Sequence, residues 1–218
     1  MRPQAFLKLK REKVAFERRE QRSLFLLKRY RRFLKGRILD VGCDRGWLRQ
    51  LLGESYVGVD RRGLPDVQID LEKVSFLPFP DASFDCVLCM DVLEHLDNLH
   101  YVFEEIVRVC RRYLILSLPN NWANARRPIA RGRGSIGHYG LPPEPPQDRH
   151  KWFFNFSEAL AFLKAQGEKY HLHEVEILAL EKPRPWPIRA VRRVLWPSLE
   201  RYLNRYAHSL WVVFEKER

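Results

Sequence analysis

The sequence predicts an α/β fold with a mostly parallel sheet covered by helices on both faces. Two observations predict it. Strand-like runs and helix-periodic segments alternate from residue 37 to residue 118, and the runs are continuously apolar rather than alternating, the pattern of strands buried on both sides. A chain of 218 residues with 45% apolar content is long enough for one medium domain with extensions.

The elements follow in order. Residues 1–37 hold fourteen Lys/Arg and three Glu, so this segment carries +11 of a net charge of +12. Within it Leu24, Leu27, Tyr30, Phe33 and Leu34 recur at helical spacing, an amphipathic helix leading into the first strand. Residues 1–22 are more polar, and the whole of 1–35 reads as a basic helical arm, helical or mobile at its start. Strands are expected at Arg37–Gly42, Tyr56–Asp60, Val67–Asp70, Phe84–Met90 and Tyr113–Leu118, with helices at Gly46–Leu52 and Leu99–Cys110. The links Arg61–Pro65 and Leu71–Ser83 are too short or too proline-broken for full helices.

Residues 119–152 interrupt the alternation. They are rich in Pro, Gly and Arg and longer than an ordinary connection, which predicts an insertion acting as a lid or binding loop. A helix at Ser157–Gln166 follows, with Ser157 as N-cap and Gly167 as its stop. Strands His171–Leu180 and Leu210–Phe214 complete the chain, separated by a second basic insertion at 182–206 that holds Trp186 and Trp196.

Several function classes are excluded. No run of eighteen apolar residues exists to span a membrane, and the charged N-terminus lacks the apolar core of a secretory signal, so a cytoplasmic protein is expected. Cys86 and Cys89 form C-x-x-C inside a strand, where a spacing of three puts them on opposite faces, as core hydrophobes and not a metal clamp. His171 and His173 would share a strand face without a third ligand, and no metal centre is expected.

The chemistry concentrates in ILDVGCDRGWL, residues 38–48. The dinucleotide fingerprint G-x-G-x-x-G, started at Gly42, demands glycine at Asp44 and Trp47, so NAD fits poorly. The actual pattern places Asp40, Gly42, Asp44 and Gly46 in D-x-G-x-D-x-G. Two carboxylates repel a pyrophosphate but suit a cation carrying an ammonium and a sulfonium, which points to S-adenosylmethionine. Asp44 is also among the few residue types other than glycine that tolerate left-handed backbone geometry.

These residues resemble the class I S-adenosylmethionine-dependent methyltransferases, of the type-11 group. ILDVGCDRG is similar to the first motif of that family, VGVD to its second, and FDCVLCMDVLEHLDN to its fourth-strand segment. The stretch from SLPNNW to the WFF segment, residues 117–154, is similar in outline to the MetW-like proteins. The resemblance implies a three-layer Rossmann-like domain over 36–218, with seven strands in the order 3-2-1-4-5-7-6 and the last antiparallel. It implies that Asp40 and Gly42, with Cys43, Asp44 and Gly46, face the methionine end of the cofactor. It implies further that Asp60, followed by Arg61, binds the ribose hydroxyls, that Asp70 and the Leu71 amide read the adenine, and that Met90 and Asp91 lie beside the methionine moiety and the transferred methyl.

A general base is needed only for an acceptor that must lose a proton, and the candidates are Asp91, His95, His138, Tyr139 and His150. Arg126, Arg127, Arg131 and Arg133 would bind an acceptor phosphate or carboxylate, or else form a solvated basic loop. HKWFF, residues 150–154, is expected to dock the loop on the core. Through residues 1–37 the chain would meet nucleic acid, lie peripherally on an anionic membrane, or simply present a solvated helix. The functional expectation is methyl transfer to an O, N or C nucleophile of a small or lipid-linked acceptor. The alternatives are an RNA methyltransferase and a non-catalytic cofactor-binding protein with a protein partner.

Overall fold

The computed structural model describes residues 9–217. In chain order these form β1 (Leu9–Lys13), α1 (Arg19–Tyr30), β2 (Ile38–Val41), α2 (Arg49–Leu52), β3 (Tyr56–Asp60), β4 (Val67–Gln68) and β5 (Phe84–Met90). After them come α3 (Leu99–Val109), β6 (Cys110–Pro119), α4 (Asn121–Arg131), α5 (Phe156–Lys169), β7 (Leu172–Glu181), α6 (Trp186–Leu195), α7 (Leu199–Tyr206) and β8 (Ala207–Lys216).

All eight strands join one sheet in the order β1-β7-β8-β6-β5-β2-β3-β4. Seven of them reproduce the expected order, and β8 runs antiparallel to both β6 and β7. The eighth is β1, which pairs in parallel with β7 from Leu9↔Ile177 to Lys13↔Glu181. The expected helical arm over 1–35 is therefore corrected: residues 9–13 are a sheet strand, while residues 1–8 lie outside the described part. LKREK forms an edge strand despite its charge because its cations meet buried carboxylates. Lys10 Nζ donates to Glu176 Oε2 at 2.7 Å, and Arg11 Nε donates to Glu181 Oε1 at 2.7 Å.

The two faces of the sheet carry separate cores. On one, α3 and α5 pack Phe103, Ile106, Phe156, Leu160 and Leu163 against Leu39, Val41, Val87 and Cys89. On the other, Leu26 and Tyr30 of α1, with Phe33 and Leu34 beyond it, cover Ile38, Cys86, Leu88, Ile115 and Trp211. Cys86 and Cys89 thus fall on opposite faces, both fully buried. Tyr30 stacks on Trp211 with centroids 6.1 Å apart, and Phe25 meets the same indole edge-on at 5.5 Å. Such pairs are worth roughly 0.5–1.5 kcal/mol each beyond their buried area.

Glu176 ties these parts together. It accepts from Lys10 of β1 and, at 2.9 and 3.1 Å, from Arg29 Nε and the Tyr30 hydroxyl of α1. Burial pushes its pKa upward, but the bonds from Lys10 and Arg29 outweigh burial and leave it below the usual carboxylate value.

The insertions are more ordered than the sequence suggests. Residues 121–131, expected within a loop, form α4, which starts on an Asn120 cap accepting from the Ala123 amide at 3.4 Å. It tolerates Pro128 near its end and stops at left-handed Gly132. The second insertion supplies α6 and α7. Among the described residues no helix is long and apolar enough to cross a membrane.

Candidate active site

The site lies at the carboxyl ends of β2, β3 and β5, where open parallel sheets bind ligands. β2 runs into Gly42, whose φ of 77° and whose backbone set an added Cβ only 2.3 Å from Val92 Cγ2. Only glycine lets the turn pass so close. Asp44 follows with φ 51°, in the left-handed region.

The loop after β2 is sewn to the loop after β3. Asp60 Oδ2 accepts from the Asp44 amide at 2.9 Å, and Asp60 Oδ1 accepts from the Arg62 amide at 3.1 Å. Leu64 N–H donates to Asp44 O at 2.7 Å, and a Cβ on Gly63 (φ 81°) would lie 2.0 Å from that same oxygen. Gly63 was not singled out in the sequence; its requirement arises from Asp44, nineteen residues upstream.

Together these loops open on a cleft of about 640 Å³, a volume suited to a small ligand. Among the sequence candidates Asp40, Gly42, Cys43, Asp44, Asp60, Arg61, Asp70, Leu71, Met90 and Asp91 line it, as do His95, His138 and His150. Gly46 and Tyr139 do not. Gly46 turns the chain (φ 62°) and donates to Cys43 O at 2.9 Å. Tyr139 donates its hydroxyl to Trp152 O and so sits behind His150.

Asp40 is 8% exposed, and its Oδ2 accepts the Tyr56 hydroxyl at 2.7 Å. Burial pushes its pKa to about 6, against the opposing pull of Tyr56 and Arg22. Among the described residues neither Asp40 nor Asp60 forms an ion pair, whereas Asp44 pairs with Arg19 at 2.8 Å and Asp91 with Arg22. The second oxygen of Asp91 accepts from Ser117 Oγ at 2.6 Å. Both carboxylate oxygens of Asp91 are thus engaged, which suits positioning better than proton uptake.

Arg19, Arg22, Ser23 and Leu26 all line the cleft, so α1 contributes one of its walls. Part of the charge of the N-terminal segment is turned to the molecule's own carboxylates: Lys10, Arg11, Arg19, Arg22 and Arg29 each hold one or more. This contribution was hidden in the sequence, where the run reads as a charged surface.

The 119–152 connection closes over the cleft. Gln147 accepts from Arg61 Nη2 through its carbonyl at 2.8 Å and from Arg62 Nη1 through Oε1 at 3.0 Å. Trp152 Nε1 donates to Leu96 O at 2.7 Å, so the WFF segment docks as expected, but His150 of HKWFF points into the cleft.

Three imidazoles gather there. His95 and His150 have centroids 4.5 Å apart at 89°, and His138 stacks on His150 at 4.4 Å. Burial, reinforced by His95 and His138, lowers the pKa of His150 to about 4; burial likewise lowers His95 despite Asp148. Both are neutral at pH 7. Glu94, absent from the sequence candidates, is 1% exposed and raised well above the usual carboxylate range by burial and then by Asp91.

The fold and the site define a class I methyltransferase architecture: the strand order, the glycine turn after β2, and an acid closing β3. A family model described as "Methyltransferase domain" matches residues 14–166, and the chain belongs to that family. The match begins inside the segment that the sequence suggested was an appended arm.

Two curated relatives from Mycobacterium tuberculosis strains, both named as probable S-adenosylmethionine-dependent methyltransferases, are 32% identical over 97 residues. That alignment spans 38% of this chain and 35% of each relative's length. Among solved structures, a SAM-dependent methyltransferase from Archaeoglobus fulgidus aligns over 92% of this chain and 96% of its own, with TM-score 0.59 and 20% identity. The small RNA methyltransferase HEN1 aligns over 96% of this chain and 27% of its own, with TM-score 0.61 and 16% identity. At such identities the likeness is one of fold.

Proposed function

We propose that the protein is an S-adenosylmethionine-dependent methyltransferase whose acceptor is a phosphate-bearing, lipid-linked molecule met at an anionic membrane surface. When bound, S-adenosylmethionine supplies a methyl carbon on a sulfonium leaving group. The donor set of the cleft fits it. Asp40, buried and without a cationic partner, would hold the ammonium, and Asp60, fixed by two backbone amides, would accept from the ribose hydroxyls. Asp70 and Leu71 would meet the adenine, and Met90 and Asp91 would flank the methionine end, as in the family that the sequence resembles. Much of the rate would come from alignment of acceptor and methyl by the closed 147–152 segment.

The observation that carries the acceptor assignment is an arginine cluster without counter-ions. The guanidinium groups of Arg192 and Arg126 lie 4.2 and 5.1 Å from the Tyr206 ring centroid, and that of Arg205 lies 4.6 Å from Trp196. Among the described residues none of the three has an ion-pair partner, and the Nε atoms of Arg126 and Arg205 are buried without hydrogen bonds. Burial and then Arg205 lower the pKa of Arg126, a repulsion that a phosphate would relieve. Arg126 lies on α4, which also sends Asn124 into the cleft.

Beside this cluster α6 has no buried residue, and it exposes Trp186 (73%) and Val194 (79%) along with Ile188, Val191 and Leu195. An exposed apolar face interleaved with Arg189, Arg192 and Arg193 suits the interface of an anionic bilayer. In this reading the second insertion, with Trp186 and Trp196, would share the membrane contact expected through residues 1–37.

The test supplies methyl-labelled S-adenosylmethionine with a membrane extract and with total RNA in parallel. Label in the organic-extractable fraction, reduced at least tenfold in Arg126→Ala/Arg192→Ala, is expected, as is flotation with phosphatidylglycerol but not phosphatidylcholine vesicles. Label in RNA alone, or S-adenosylhomocysteine binding with no transfer to either pool, overturns the reading.

A further inference from the structure

The cleft contains a constellation that cofactor binding does not use. Glu94, His95 and His150 offer three ligand atoms that all lie within 4.8 Å of one another. Glu94 comes from the short 3-10 turn after β5, His95 is its neighbour, and His150 arrives from the far end of the 119–152 connection. Neither oxygen of Glu94 has a hydrogen-bond partner, although its side chain is buried to 1% exposure. A buried carboxylate without partners is costly, and it asks for a cation.

In both imidazoles an outer acceptor fixes the proton on Nδ1 and leaves the Nε2 lone pair free, and His95 Nε2 faces Glu94. His95 Nδ1 lies 2.7 Å from Asp148 Oδ1 and 3.2 Å from Arg149 O, both acceptors, so Nδ1 carries the proton. His95 Nε2 then presents a lone pair 3.8 Å from Glu94 Oε1.

His150 obeys the same logic through a relay. Its Nδ1 lies 3.3 Å from Asn121 Oδ1 and 3.2 Å from the Tyr139 hydroxyl. Tyr139 spends its proton on Trp152 O, and Asn121 Nδ2 donates to that same carbonyl at 3.1 Å. Both groups therefore offer His150 acceptors only, Nδ1 must be the donor, and Nε2 is left with its lone pair. One nitrogen fixed by an outer acceptor and the other free is how proteins hold metal-binding histidines.

We propose that Glu94, His95 and His150 bind one divalent transition-metal ion, with the remaining coordination positions open to the cleft for an oxygen of the acceptor. Two imidazoles and one carboxylate favour zinc, manganese, cobalt or iron over calcium or magnesium, which prefer all-oxygen sets. Three protein ligands leave room for an exogenous one, as in catalytic and not structural sites. Because His150 sits between Gln147 and Trp152, an ion shared with Glu94 and His95 would fasten the closing segment over the cleft. This site goes beyond methyl transfer as such and does not depend on the lipid nature of the acceptor.

The experiment titrates the full-length, untagged, chelator-treated protein with Co²⁺, following the visible absorption bands and the heat of binding. One equivalent bound with micromolar affinity is expected, weakened at least 100-fold in Glu94→Gln and in His150→Ala, and retained in His100→Ala, whose ring packs on Phe162 with centroids 5.4 Å apart and is not one of the three ligands. Thermal melting and S-adenosylhomocysteine binding are measured on each variant to establish that it folds. No Co²⁺ binding by a protein that binds S-adenosylhomocysteine, or equal Co²⁺ binding by folded Glu94→Gln and His150→Ala, overturns the site while leaving the methyltransferase reading intact. Co²⁺ binding without S-adenosylhomocysteine binding supports the site and overturns that reading instead.

Discussion

Tyr56 donates its hydroxyl to Asp40 at 2.7 Å across adjacent strands, and this bond sets the charge at the floor of the cleft. The donor favours the carboxylate while burial favours the acid, and the balance leaves Asp40 titrating near 6. If Asp40 holds the cofactor ammonium, the Kd for S-adenosylmethionine rises about tenfold between pH 7.5 and pH 5, as the carboxylate protonates. Calorimetry across this range checks it, with Asp40→Asn binding weakly and without that pH dependence. Tyr56→Phe shifts the inflection upward and weakens binding at pH 6.5.

The same residue has the opposite effect on stability. A carboxyl whose pKa is raised on folding binds its proton more tightly in the native state, so its contribution falls as pH rises from the unfolded value of 3.8 through 6. Ligand-free Asp40→Asn therefore melts higher than the natural protein at pH 7.5 and no higher at pH 4. A lower melting temperature at pH 7.5 would contradict the assignment.

Glu176 gives a conventional acid response. Its pKa is lowered on folding, so the stability it contributes is present above the ordinary value of 4.5 and is lost as pH falls through the folded value. Glu176→Ala leaves Arg29 with Glu12 alone, strands the Tyr30 hydroxyl and costs about 2 kcal/mol. Urea unfolding at pH 7 measures that loss; Glu176→Gln loses less and also flattens the acid limb.

The braced loops make a backbone prediction. Gly63→Ala places a methyl 2.0 Å from Asp44 O at a φ of 81°, so the loop must shift and Asp60 loses the Asp44 amide, one of its two backbone donors. S-adenosylhomocysteine affinity falls at least tenfold with a melting shift of only a few degrees. Asp60→Ala abolishes binding without unfolding. Equal affinity in both variants would detach Asp60 from the cofactor.

Asp44 separates two roles. Asp44→Asn keeps a residue type that accepts left-handed geometry but drops the Arg19 pair, and affinity stays within about threefold, as an exposed ion pair is worth little. Asp44→Ala, which must hold φ near 51° without a polar side chain, costs about 1 kcal/mol of stability, read by chemical denaturation.

Strands β2, β3, β5 and β6 were legible because they are mostly buried and carry their own apolar signal, whereas the edge strand β4 shrinks to Val67–Gln68. β1 was not: LKREK has one apolar residue in five, and its place depends on Glu176 and Glu181, more than 160 positions away. α4 was hidden behind Pro128 and a run of polar residues, although its cap at Asn120 is a local signal that could have been read. In the site, the residues after β2 and β3 were visible as glycines and acids at strand ends. Glu94 was not, because its meaning lies in the absence of partners and in the approach of His150, both products of the closed loop. The arginines of α1 looked like solvent-facing charge for the same reason.

The pairing of β1 with β7 also orders events during synthesis. Lys10 emerges first but waits for Glu176, 166 positions later, before its place in the sheet exists. Until then α1 rests on its apolar face alone, without the Lys10–Glu176 edge beside it, so a nascent chain carries the glycine turn and the acids of β2 and β3 before its α1 wall is complete. Contacts of such sequence separation form late and slowly. Full ligand affinity should therefore appear only late in folding, once β1 has reached β7, and a fragment beginning at residue 36 would keep the motifs and lose one wall of the cleft.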